Sequence, residues 1–317
     1  MNKPMVSILT ITYNQERYIE QCIESVLAQT FTDWQMLIVD DGSDDGTCDK
    51  VKSYKDDRIV LICAPHRGME KLKESYGLAL EQAYGSLISI LDGDDFWPPN
   101  KLAIEVPVFS KPDVVMAFGG ADIYNDKGEY VQTAKLPDFA KGLVEGNVLI
   151  RKILGCGYFI HSVTTMLRRD AIDRIGGFVQ PQCLPLVDIP TWLNILRGAR
   201  CVGISEVLGC YRVHNASVCR TRSGEIIRGH MLYNEIFLDA NWACINLSER
   251  KYHKFRRKIL AYNNHRLGAL FANEKNWSKA RHHFLFALHN GNFIRKVKAI
   301  GRLELLFIQS IYRKIRM

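Results

Sequence analysis

QMLIVDDGSDDGT, residues 35–47, is the stretch on which the fold turns. An apolar run over 35–39 breaks into Asp40-Asp41-Gly42-Ser43-Asp44-Asp45-Gly46, and Thr47 then opens a helical pattern over 47–54. A short apolar run that ends in turn formers and leads into a helix reads as a buried strand of a parallel sheet. The same order of signals extends both ways. Upstream, a strand over 6–12 ends in Thr12-Tyr13-Asn14 and a helix follows over 18–29; downstream come a strand over 59–63, a helix over 72–83 and a strand over 87–91 ending in Asp92-Gly93-Asp94-Asp95. Strand and helix in alternation predict an α/β fold with a mostly parallel, Rossmann-like sheet flanked by helices. Ligands of such sheets bind beyond the carboxyl ends of the strands, so three polar strand ends are expected to form one acidic crevice.

From 114 to about 219 the strands read as shorter and less regular, with turn signals at Asn125-Asp126-Lys127-Gly128 and Gly176-Gly177, which predicts a mixed continuation of the same sheet. Beyond 226 the pattern is helical to the end, including a helical-repeat-like hairpin from Gly268 through Trp277 to Leu288. The expected division is 1–218, in two halves of 1–105 and 106–218, followed by a helical extension over 219–317. The chain's 317 residues, 47% hydrophobic and 24% charged, exclude disordered and collagenous classes. Nine cysteines, odd in number and without a CxxC pair, argue against zinc and for reduced thiols in a cytoplasm. No run approaches the ~20 apolar residues of a membrane span. The net charge of +8 conceals −6 over 1–218 and +14 over 219–317.

Carboxylates gathered at the mouth of a parallel sheet repel one another unless a cation joins them, and oxygen ligands suit a hard divalent ion, Mn2+ or Mg2+. The spacing Asp92-x-Asp94 would put one carboxylate on the metal and the other on a ribose or a metal-bound water. The plain alternative is a turn with capping aspartates.

Three segments taken together, VSILTITYN (6–14), IVDDGSDDGT (38–47) and ISILDGDDFWPPNKL (88–102), resemble the signatures of family-2 glycosyltransferases with the GT-A fold. IGGF (175–178) ahead of Asp188 and CYRVHNASV (210–218) extend the resemblance over 5–218. It implies an inverting transfer of a sugar from a nucleotide-diphosphate-sugar, with UDP-sugar favoured and another base left open, to a hydroxyl of a glycan or lipid-linked glycan. It implies Thr12, Tyr13, Asn14, Glu16 and Asp41 around the nucleotide, Asp94 as metal ligand, and Asp92 near the ribose or metal. Asp188 is implied as the general base, with Val187 standing where the family usually carries a glutamate. His214 is a candidate third metal ligand, Arg212 a phosphate contact and His161 a lining residue of the acceptor cleft. Where the family commonly has an Arg-Asn pair this chain has Lys73-Glu74-Ser75-Tyr76, so Lys71 or Lys73 is expected to substitute as a donor contact.

Over the last 23 residues, seven Lys and Arg oppose Glu304 alone, while Leu303, Leu306, Phe307, Ile311 and Ile315 recur at helical spacing. That pattern predicts peripheral contact with the inner face of the cell membrane, or a helix docked on the protein's own core. The rival function is a non-catalytic sugar-nucleotide or glycan-binding module of the same fold. A nucleotidyltransferase would want a glycine-rich phosphate loop that Thr12-Tyr13-Asn14-Gln15 lacks. No nucleic-acid partner is expected, since no recognition motif accompanies the basic charge.

Overall fold

The computed structural model describes residues 3–157, 159–245, 247–291 and 296–306. The chain divides into two units: residues 1–150 with 158–221, and residues 151–157 with 222–317.

The first unit is built in the expected order. It begins with β1 (Val6–Thr12), α1 (Ile19–Leu27), β2 (Trp34–Asp40), α2 (Thr47–Ser53) and β3 (Ile59–Cys63). Then come α3 (Leu72–Glu81), β4 (Leu87–Ile90) and α4 (Lys101–Glu105). β1 and β2 are buried along their whole length, which is why their sequences carry no alternation. Helix α1 turns Ile19, Cys22, Ile23 and Val26 inward, the i, i+3, i+4, i+7 set of one helical face.

The remainder of the unit consists of β5 (Val114–Asn125), β6 (Tyr130–Ala134), β7 (Gly142–Glu145), the start of α5 (Gly146–Cys156), β8 (Met166–Arg168), α6 (Arg169–Arg174), α7 (Asp188–Ile195), β9 (Arg200–Val213) and α8 (Val218–Thr221). All nine strands among the described residues join one sheet, ordered β3-β2-β1-β4-β8-β5-β9-β7 with β6 beside β5. β1 to β4, β5 and β9 share one direction, and β6, β7 and β8 oppose it. The expectation of shorter strands after 114 holds for β6, β7 and β8, at 5, 4 and 3 residues, and is corrected for β5 and β9. β5 and β9 are the longest, at 12 and 14 residues against 7 for β1. Their pairing shifts register between Val114 and Met116 and twice between Phe118 and Ala121, and Gly119, Gly120, Gly203 and Gly209 lie along it. Bulges and glycines interrupt the period on which strand recognition depends.

The strand order reverses at β1, which has β2 on one side and β4 on the other, so the crevice opens beyond Thr12, Asp40 and Leu91. Behind the β4 end, Trp97 donates its ring N–H to the Val163 carbonyl at 2.8 Å, and Phe96 forms a bridge with Cys210 of β9. Lys101 and Glu105 are wholly buried and ion-paired, and the Lys101 ammonium also donates to Ser89 Oγ at 2.8 Å and lies 4.3 Å from the Trp97 ring centre. Burial lowers the pKa of Lys101 and pushes Glu105 up to about 7.

In the second unit, α9 (Ser223–Asn241), α10 (Glu249–Asn273) and α11 (Trp277–Asn290) are followed by helical residues 296–306. α10 and α11 form the anticipated hairpin, and a Cβ on Gly268 would stand 2.7 Å from the Phe284 ring, so only glycine lets the two helices close to this distance. None of the described helices is long and apolar enough to cross a membrane. The amphipathic tail expected through 315 is helical as far as 306, and the rest lies outside the described residues.

Removing one partner of a buried ion pair leaves the other charge uncompensated. Lys101→Met is therefore expected to cost about 3 kcal/mol or more of stability in urea unfolding, and Lys101→Met with Glu105→Leu to recover most of it. The deficit of the single variant should be larger at pH 8 than at pH 5. A carboxyl whose folded pKa is raised destabilises the fold as pH climbs through it. An unchanged urea midpoint in the single variant would show that the pair does not secure this segment.

Candidate active site

The crevice is assembled by two loops that lock each other in place. After β1, Asn14 takes a left-handed backbone (φ 51°) and accepts the Asp44 N–H at 3.0 Å, while its own N–H donates to Ser43 Oγ at 2.9 Å. The Glu16 N–H donates to Asp45 Oδ2 at 3.1 Å, and its carboxylate accepts the Gly46 N–H at 3.2 Å. Asn14 and Glu16 thus act as struts between the β1 and β2 ends. Thr12 is buried and donates its hydroxyl to Gln15 Oε1 at 2.8 Å. Tyr13, 43% exposed, stacks on His66 with ring centres 4.1 Å apart.

Asp41 closes the loop after β3. Its carboxylate accepts the N–H groups of Arg67 and Gly68 at 3.1 and 2.9 Å, and the His66 ring N–H donates to its carbonyl at 2.9 Å. Ser75 Oγ stands 3.5 Å from the same carboxylate, and the Tyr76 hydroxyl donates to Asp92 Oδ1 at 3.0 Å. Ser75 and Tyr76 belong to the very stretch where the sequence departs from the family's Arg-Asn pair. The departure therefore supplies hydroxyls to two crevice aspartates. Lys71 and Lys73 are exposed, and among the described residues neither is ion-paired or hydrogen-bonded to the crevice; the Lys71 ammonium is 3.9 Å from Glu74.

Each aspartate after β4 has a different partner. Asp92 is held by Tyr76, Asp94 accepts the ring N–H of His214 at 2.9 Å, and Asp95, 2% exposed, accepts the Arg212 backbone N–H at 2.8 Å. The Arg212 guanidinium donates to the Asp94 carbonyl at 2.9 Å and packs over the Tyr18 ring at 4.8 Å. It is a buried clamp on the loop. Gly93 is required by space, since a Cβ there would meet Thr12 Oγ1 at 2.9 Å.

Asp188 opens α7, behind the buried Val187, where the nearby backbone N–H groups of Ile189 and Asp188 favour its charged form. Its Oδ1 is buried without a hydrogen-bond partner. Desolvation raises its pKa, and its charge is felt at both Asp92 and Tyr76, so the head of α7 and the end of β4 face one crevice. Desolvation and the neighbouring charges of Asp94 and Asp188 push Asp92 up to about 7, and the Tyr76 hydrogen bond opposes them. Desolvation with Asp94 and Asp92 raises Asp95 well above the ordinary range, against the pull of Arg212. His161 is tilted against Tyr211 at 5.5 Å and its pKa is lowered by burial.

Carboxylates that raise one another's pKa carry more negative charge than Arg212 offsets, and a cation would relieve it. Oxygen donors with one imidazole suit Mn2+ or Mg2+. Among the described residues no three ligand-type side chains converge; Asp94 and His214, in hydrogen-bond contact, are residues that could hold such an ion. Sequence reading missed Tyr76, Ser75 and His66 as parts of the crevice, while Asp95 lies in the polar strand end expected there. Tyr76 and Ser75 carried a signal in the departure from the family pattern, and His66 carried none.

The sequence profile of Glycosyl transferase family 2 matches residues 7–176. A teichuronic acid biosynthesis glycosyltransferase of Bacillus subtilis, TuaG, is 29% identical over 259 residues, covering 80% of this chain and 98% of the relative. Escherichia coli WfgD, named as a UDP-Glc:alpha-D-GlcNAc-diphosphoundecaprenol beta-1,3-glucosyltransferase, is 30% identical, covering 72% of this chain and 85% of the relative. In fold, the chain is similar to residues 1–349 of S. aureus TarS, crystallised with UDP-GlcNAc, at a TM-score of 0.63 and 16% identity over 98% of this chain and 91% of that one. It is also similar to the mannosyltransferase PcManGT of Pyrobaculum calidifontis, in complex with GDP-Man and Mn2+, at a TM-score of 0.57 and 20% identity over 97% of this chain and 81% of that one.

In the metal-free protein, carbon-detected NMR is expected to show the Asp92 carboxyl titrating near 7. Tyr76→Phe, which removes the hydroxyl that stabilises the charged form, should move that titration upward. Titration near 4 in either protein would contradict the crowding of charge described here.

Proposed function

The chain belongs to glycosyl transferase family 2, and on that footing we propose an inverting, divalent-metal-dependent transferase that moves a hexosyl or N-acetylhexosaminyl group from a nucleoside-diphosphate-sugar to a hydroxyl of a glycan or lipid-linked glycan. The observation that carries this reading is the Asp188 carboxylate, which shares a crevice with Asp92 and keeps one buried oxygen free of any hydrogen bond. An inverting transfer is one displacement at the anomeric carbon. The acceptor oxygen forms its bond to that carbon as the carbon–oxygen bond to the diphosphate breaks, and the acceptor's proton must leave on the opposite face. A carboxylate with a spare lone pair and a pKa raised by burial is suited to take it.

The exposed Tyr13–His66 pair offers a stacking face for the base, and Asp41 fixes the loop that carries His66. Asp94 and His214, with Asp92 beside them, would hold the cation. A bound divalent ion would neutralise the charge that develops on the departing diphosphate. Arg212 holds the loop and leaves phosphate charge to that ion. A uridine donor is favoured by two of the similar proteins, WfgD by its name and TarS by its UDP-GlcNAc complex, while PcManGT binds GDP-Man. A diphosphate-linked lipid acceptor is favoured by the printed names of WfgD and of WfaP, a second Escherichia coli relative. The non-catalytic module is disfavoured because Asp92, Asp94 and Asp188 are all present.

Calorimetry of a nucleoside-diphosphate panel with Mn2+, then with chelator, tests the donor site. One diphosphate is expected to bind only with metal, and binding of none would favour a non-catalytic module. Asp94→Asn should abolish the metal-dependent binding. Asp188→Asn should keep it yet lose transfer by about 100-fold or more, the scale of general-base catalysis. The parent's activity should fall on the acid side through a pKa above the ordinary carboxylate value of 3.8, because a protonated Asp188 accepts nothing. Turnover retained in Asp188→Asn would remove the base assignment.

A further inference from the structure

The helical unit holds a cavity of about 570 Å³ whose lining contains no acidic side chain. Its cations are Arg151, from the second half of α5, and Lys251, Lys254, Arg257 and Lys258, from α10. Lys251, Lys254 and Lys258 share one helical face with Phe255, at i, i+3, i+7 and i+4. Leu247 and Phe255 line the same cavity, and the Phe255 ring packs beside Gly155 of α5.

Charge on α10 is distributed unevenly. His253 and Arg256, off the cavity, face Glu249 at 3.8 Å and Asp239 at 3.2 Å. Lys251, Lys254, Arg257 and Lys258 have no carboxylate partner among the described residues, and the Arg151 guanidinium donates only to the Ile245 carbonyl, at 2.6 Å. Like charges three and four residues apart weaken a helix, so such a set is costly unless an anion occupies its centre. A concave group of unpaired cations focuses positive potential, and ammonium and guanidinium groups both bind phosphate oxygens through charge-assisted hydrogen bonds. The volume is that of a small-molecule site, and the apolar side chains suit a ligand with a hydrocarbon part.

We propose that this cavity binds a diphosphate ester carried on an apolar chain, with the diphosphate among the cations and the chain against Leu247 and Phe255. Its identification with a lipid-linked acceptor rests on the function proposed above; the binding chemistry does not. The test uses the full chain in chelator, which silences metal-dependent binding at the acidic crevice. Calorimetry with inorganic pyrophosphate and with farnesyl diphosphate is expected to show both bound, the second at least tenfold tighter because its chain is buried. Lys254→Glu with Lys258→Glu, at exposed positions, should weaken both at least tenfold while metal-dependent nucleotide binding persists. Unchanged diphosphate binding in that variant would overturn the proposal. So would a parent that ignores both diphosphates yet binds phosphatidylglycerol vesicles, which would mark a general basic face. Absence of nucleotide binding with Mn2+ would defeat the donor reading alone, since the diphosphate measurements need no metal.

Discussion

Everything near the crevice answers to the repulsion among four carboxylates, Asp92, Asp94, Asp95 and Asp188, gathered between the end of β4 and the head of α7. Left to itself, such a group would spread or protonate. The fold holds it together with partners of several kinds: a phenol on Asp92, an imidazole on Asp94, a backbone N–H on Asp95, and one guanidinium across the loop. Further back, Trp97 and the buried Lys101–Glu105 pair anchor the segment that follows. The negative charge is contained without being cancelled, which is the condition a cation-assisted diphosphate site needs.

The first four strands were legible because each is an apolar run ended by polar turn formers, a local pattern that survives burial on both faces. β5 and β9 were not, because glycines and bulges break their period and their mutual pairing joins residues about 85 positions apart. The aspartates of the site could be named from local motifs, yet their partners could not: Tyr76 meets Asp92 across 16 residues, Ser75 meets Asp41 across 34, and His214 meets Asp94 across 120. Asn14 and Glu16 were expected at the nucleotide, and their side chains prove to tie one loop to the next. A motif identifies the residue type that chemistry wants; whether that residue touches a ligand or supports one that does is decided by distant chain.

The +14 of the last third likewise resolves only in three dimensions. Composition alone suggests a uniformly basic surface, whereas α10 separates cations that have acidic partners from cations that have none, and the second group rims a cavity. The two anion-related features of the chain are opposite in sign. On the functions proposed above, the acidic crevice would need a metal to accept phosphate and the basic cavity would not.

The clamping of the β4 loop has a consequence for ion size. Gly93 packs against Thr12 with no space for a side chain, Asp95 is tied to β9, and Arg212 spans the turn, so the backbone under Asp94 is held from three sides. Calcium takes six to eight oxygens at about 2.3–2.6 Å and favours yielding cages, whereas magnesium demands a compact shell near 2.0–2.1 Å. If the proposed cation binds there, a frame set during folding, and stiffened by contacts that have nothing to do with metal, would discriminate by radius before any affinity for charge comes into play.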